Sequence, residues 1–171
     1  MNEVQQNLIS ILVSNHFGVL MRVTTIFSRR TCNIRSLTVA ETQDTNVSRI
    51  TILFDATAEV ALQIHKLLEK QEDVIGATFL PISTPLVREL ALVKVQLSDS
   101  LEKDLAAMVE GYHVKVLSQQ EGTCVVEFVG TGEQTDNFVQ LMEQYGIVEI
   151  CRTGAAALNE GTENIYKKEN K

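Results

Sequence analysis

Cations are in short supply in this sequence: 15 Lys and Arg stand against 22 Asp and Glu, for a formal charge of −7. A nucleic-acid surface needs clustered Lys and Arg to displace counterions from phosphates, so no nucleic-acid partner is expected. Only Arg29–Arg30 and Lys167–Lys168 form basic pairs. No apolar run approaches the length of a membrane span. The opening MNEVQQ is polar, without the cationic start and apolar middle of a secretory signal, so the expectation is a cytoplasmic protein with no membrane contact. Cysteine is limited to Cys32, Cys124 and Cys151, an odd number, far apart and without C-x-x-C spacing. That pattern suits reduced core thiols better than a disulfide framework or a zinc site. Proline occurs only at Pro81 and Pro85, and the segment between them reads as a stiff extended linker and a domain boundary.

What is present is apolar periodicity, repeated twice. Leu8–Ser14 is a continuous apolar run of strand length that leads into the turn Asn15–Gly18. A helix then starts near Gly18, with Leu20, Val23 and Phe27 on one buried face, and ends near Arg29 and Arg30, where cations suit the negative end of the helix dipole. Ile34–Ala40 alternates as a second strand, Glu41–Asn46 is a polar turn, and Ile50, Ile52 and Phe54 mark a third strand. Val60, Ile64, Leu67 and Leu68 line a second helix, and Val74–Leu80 closes the unit. Beyond the prolines the same order returns. Ala91, Val93, Val95 and Leu97 alternate, Leu101, Leu105 and Met108 share a helical face, and Gly111 is placed to end that helix. Val114 and Val116 pair across Glu121–Gly122 with Cys124, Val126 and Phe128. Thr131-x-x-Gln134 has capping-box spacing, Phe138, Leu141, Met142 and Tyr145 line the next helix, Gly146 stops it, and Ile147–Cys151 is a last strand.

The expected class is therefore α+β: two tandem ferredoxin-like (βαββαβ) domains, each an antiparallel sheet with two helices on one face. Boundaries fall at 1–80 for the first domain, 81–89 for the linker, 90–158 for the second domain and 159–171 for a polar tail expected to fray.

Catalysis needs a nucleophile beside a base, paired carboxylates or clustered metal ligands, and none is legible. His16, His65 and His113 lie on different elements, and Glu59, Glu69, Glu72 and Asp73 read as solvated charges. One enzyme alternative fits the strand order, an acylphosphatase-like phosphoryl hydrolase using Arg22 to hold phosphate and Asn33 to orient water. A phosphate cradle, however, wants several successive free N–H groups from a glycine-rich loop, and this turn has one glycine. An RNA-recognition domain would carry stacking aromatics on the third strand where Ile50 and Ile52 stand. The opening stretch instead offers what a zwitterionic amino acid requires: N–H groups of Gly18, Val19 and Leu20 at a positive helix end, and carboxamides at Asn15 and Asn33. Plainer roles exist for each of these, since Asn15 can cap the helix, Gly18 can permit a tight turn and Asn33 can be a loop residue.

The stretch SNHFGVLMRVTTIFSRRTCNIRSLTV, followed by SRITILF, RELALVKV, RTG and AAAL, resembles the small regulatory subunit of acetolactate synthase (acetohydroxyacid synthase) from Leu8 to about Gly161. The resemblance implies an ACT domain in the first half and a second ferredoxin-like domain after it. It implies a chain without a catalytic site or cofactor of its own, whose partner is the catalytic large subunit carrying thiamine diphosphate, magnesium and FAD. The implied role is to activate that subunit and make it sensitive to valine, in the pathway to valine, leucine and isoleucine. The implied effector site lies between two ACT domains of a homodimer, with Asn15, Gly18, Val19 and Leu20 from one subunit and Asn33, Ile34 and Val39 from its neighbour. His16–Phe17, Thr31–Cys32, Arg35 and Asn159–Glu160 depart from the common pattern of that family.

Overall fold

In the computed structural model, which describes residues 3–82, 86–112, 114–161 and 165, the chain forms two compact units. One is Met1–Leu86 with Ala155–Lys171, the other Val87–Gly154. His113, Pro85 and most of the tail lie outside the described residues.

The first unit runs β1 (Gln5–Ser14), α1 (Val19–Arg29), β2 (Asn33–Glu41), β3 (Val47–Ala56), α2 (Ala58–Glu69) and β4 (Val74–Leu80). All its sheet pairings are antiparallel, in the order β2-β3-β1-β4, as the βαββαβ reading requires. The uninterrupted apolar run of β1 belongs to a central strand whose two faces are both covered. Ile9, Ile11 and Val13 enter the core under the helices, while Leu8, Ser10 and Leu12 are buried on the other side. Phe27 of α1 meets Phe54 of β3 edge to face, ring centres 5.0 Å apart, at the middle of that core.

Helix α1 buries Val19, Val23, Ile26 and Phe27, so the expected face is shifted by one residue at its start. Leu20 has an i, i+3, i+7 relation to Val23 and Phe27, but Val19, at i, i+4, i+7 with Val23 and Ile26, takes the core position instead. Leu20 lies on the flank, 42% exposed. Helix α2 is capped by Thr57, whose hydroxyl accepts the Val60 N–H at 3.3 Å.

The second unit comprises β5 (Val87–Gln96), α3 (Asp99–Tyr112), β6 (Lys115–Gln120), β7 (Thr123–Gly130), α4 (Gly132–Glu143) and β8 (Ile147–Arg152), with strand path β6-β7-β5-β8. The capping box at Thr131 and Gln134 is formed in both directions, at 3.3 and 2.9 Å. Phe128 and Phe138 stack at 4.6 Å within its core. Strand β5 starts at Val87, inside the expected linker, and α3 runs through Gly111 to Tyr112 rather than stopping there.

The chain's end departs from expectation too. Residues from Ala155 onward group with the first unit rather than the second. Arg49 donates to the Ala157 carbonyl (3.4 Å) and to Ser10 Oγ (3.1 Å), Leu158 N–H reaches the Leu86 carbonyl (3.4 Å), and Ile165 is buried against Leu12, Val47 and Ile75. Ile165 thus meets apolar surface on the far face of the sheet. All three cysteines are free, but only Cys124 is a core thiol; Cys32 is half-buried and Cys151 exposed.

Candidate functional site

The turn between β1 and α1 is held at both ends and open in the middle. Gly18 is the residue before the helix, at φ +85°, a left-handed conformation that glycine enters without strain. Having no side chain, it leaves the helix's opening N–H groups uncapped. Among the described residues the Leu20 and Met21 N–H groups meet no acceptor, and the Val19 N–H reaches only the His16 carbonyl, at 3.5 Å. Free N–H groups at the positive end of a helix suit a carboxylate.

Asn15 anchors the turn to the β2–β3 hairpin. Its backbone N–H donates to the Asn46 carbonyl (2.7 Å), and its carboxamide nitrogen to Glu41 Oε1 (3.0 Å) and the Thr45 carbonyl (2.8 Å). Both partners of that nitrogen only accept, so the NH₂ must face them, and its two protons are spent. What Asn15 can still offer is Oδ1, an acceptor, beside the Glu41 carboxylate. This end of the site therefore favours an ammonium group, and the helix end favours a carboxylate.

A second tie lies on the other side of Gly18. Asp73, just before β4, accepts from Arg22 Nε and Nη2, both at 2.6 Å, and from His16 Nε2 at 2.8 Å, while its backbone carbonyl accepts from Ser14 N–H at 2.9 Å. Burial alone would raise the Asp73 pKa, but the hydrogen bonds and charge of Arg22, then those of His16, outweigh it and hold the carboxyl below its usual value. His16, Asp73 and Arg22 thus form a clasp around the residues Phe17 and Gly18.

The structure brings Asn15, Gly18, Val19 and Leu20 to one end of the first unit, with Val19 contributing only backbone because its side chain is buried. Asn33 and Ile34 are at the other end of β2, about 26 Å away by the rise of a strand from Asn33 to Glu41. Val39, expected from the neighbouring subunit's side of the site, stands two residues from Glu41, at the same end as Asn15, and is 41% exposed. That separation also removes the acylphosphatase alternative: Arg22 is neutralised by Asp73, and Asn33 is too far from the turn to orient water there. The ties that Glu41 and Asp73 make to this turn are not legible in the sequence because their partners are 26 and 51 positions away along the chain. No local pattern reports such a contact.

Comparison with known proteins agrees with the resemblance along nearly the whole chain. The family model for the AHAS small subunit-like ACT domain matches residues 9–76, and that for the small subunit of acetolactate synthase matches residues 88–161. The acetolactate synthase small subunit of Bacillus subtilis (strain 168) is 35% identical, the match covering 92% of each chain. The isozyme 3 small subunit of Escherichia coli (strain K12) is 33% identical over 91% of this chain and 96% of its own. The crystal structure of the small subunit from Thermotoga maritima superposes with a TM-score of 0.82 at 30% identity, covering 93% of this chain and 99% of the other. With two family models in register and relatives matched end to end, this chain belongs to the acetolactate synthase small-subunit family.

Proposed function

We propose that the chain is the regulatory partner of the catalytic large subunit of acetolactate synthase, raising its activity and delivering feedback inhibition by valine in the cytoplasm. Thiamine diphosphate, magnesium and FAD would belong to that large subunit. The observation that carries the reading is the paired polarity of the turn: open N–H groups at the start of α1 for a carboxylate, and Asn15 Oδ1 beside Glu41 for an ammonium group. That is the charge layout of a free amino acid.

The second half of the site is supplied in this reading by another copy. β2 is an edge strand in the sheet order, with no further strand on its outer side among the described residues. A two-fold axis beside its midpoint would run a second β2 antiparallel to the first, bringing one copy's Asn33 and Ile34 to the other's Glu41 end. A homodimer is therefore what joins residues that lie far apart in one chain. Each buried methylene of the effector contributes about 0.8 kcal/mol, so valine, leucine and isoleucine compete closely. Inhibition follows if the ligand binds one arrangement of the two subunits more tightly than the other.

The test is pyruvate condensation by the large subunit, with and without this chain, across a valine titration. Addition of the chain is expected to raise the rate, and valine to lower it. Asn15→Ala and Gly18→Asp are expected to abolish the response to valine while the rate stays above that of the large subunit alone. Full inhibition in both variants would refute the site, and no change in rate on adding the chain would refute the role.

A further inference from the structure

The residue between the two ties is Phe17, and its ring is 99% exposed, more than any other large apolar side chain among the described residues. Its neighbours are fixed: Asn15 to the hairpin, His16 and Arg22 to Asp73. A side chain just before an N-cap ordinarily folds back over the first helical turn and packs on the fourth helical residue, a hydrophobic staple. Here the fourth helical residue is Arg22, committed to Asp73, so the staple has no apolar partner. Leu20 and Met21, whose N–H groups are open, add partly exposed side chains at 42% and 68%. The turn thus presents an aromatic ring, held by rigid flanks and packed on nothing, beside the group of N–H donors.

We propose that Phe17 is the residue that selects the effector by its side chain, its ring closing over the aliphatic part of an amino acid whose carboxylate lies on the opening turn of α1. This rests on the effector reading above and deepens it. The ring recognises apolar surface, so its contribution scales with the size of the ligand's side chain and vanishes for a ligand without one. Because the ring packs on nothing in the free chain, truncating it removes no fold contact.

The experiment is calorimetric titration of valine, leucine and alanine into the full-length protein assembled with its catalytic subunit, for the parent, Phe17→Ala and Phe17→Leu, with the mass of the isolated regulatory chain followed by light scattering. Phe17→Ala is expected to weaken valine and leucine at least tenfold, alanine less than threefold, and Phe17→Leu to restore most of the loss. The unfolding midpoint and the oligomeric mass are expected to stay at parent values. Equal weakening for alanine and leucine, no weakening at all, or loss of the dimer together with affinity each overturns the proposal, the last by assigning the ring to the subunit seam. If Asn15→Ala abolishes valine binding and Phe17→Ala leaves it intact, only the role of Phe17 fails; if both variants bind valine as the parent does, the effector site itself fails.

Discussion

Replacing Gly18 by alanine probes the turn with a single methyl group. Two costs follow from the geometry. At φ +85° an L side chain pays about 1 kcal/mol for the left-handed conformation. The added Cβ also meets Arg22 Nη1 at 3.2 Å, tighter than ordinary contact. A free arginine would swing aside at little cost, but two 2.6 Å bonds to Asp73 fix this guanidinium, and making room strains them. Straining that solvent-screened pair adds a further, smaller penalty on top of the backbone cost of about 1 kcal/mol. A double-mutant cycle with Arg22→Ala separates the two terms, because without the guanidinium only the backbone cost of about 1 kcal/mol is left. Urea unfolding followed by circular dichroism reads all four corners. An equal penalty with and without Arg22 removes the steric argument, and no penalty in either background removes the left-handed assignment on which the open helix end depends.

Other perturbations follow from contacts already described. Glu89 is a buried carboxylate at 5% exposure, held by Arg152 Nη2 at 2.6 Å, while Arg152 Nη1 reaches Asp136 at 2.6 Å. Arg152→Met strands that charge and is expected to destabilise the chain by about 3 kcal/mol in urea unfolding; a loss under 1 kcal/mol would contradict the pairing. The Asp73 carboxyl has a lowered pKa, so the clasp's stabilisation is complete above about pH 4 and is lost as pH falls through the depressed value. Asp73→Asn should flatten the acid limb of the stability profile below that pH, and an unchanged limb tells against the clasp. Ile165→Ala removes that residue's buried contact with Leu12 and Val47, with an expected loss of about 2 kcal/mol in urea unfolding; no loss would contradict the contact.

The architecture was readable where one local rule decided each element. The continuous run at Leu8–Ser14 announced a strand, and Thr131 with Gln134 announced a helix start, because both signals lie within a few residues. The reading of α1 slipped by one because Val19 and Leu20 both satisfy helical spacing, and only the position of the sheet beneath the helix chooses between them. At the turn before α1, the residue types announced an open helix start but not its wiring: the spent NH₂ of Asn15 and the fixing of Arg22 depend on Glu41 and Asp73, which approach only once the sheet is assembled. Ile165 shows the same limit, since nothing beside it in sequence marks it as buried.

The route of the backbone has a practical corollary. Because the segment after Gly154 rejoins the body that ended at Leu86, with Leu158 hydrogen-bonded back to Leu86, Val87–Gly154 is an insert spliced into a host. One protease cut near Ile82 would leave Val87–Gly154 bonded only to the closing segment that begins at Ala155, whose hold on the six host elements is non-covalent. Excision of 87–154 with direct joining of the flanks, rather than simple truncation after the first six elements, is the deletion that keeps the host's closing segment.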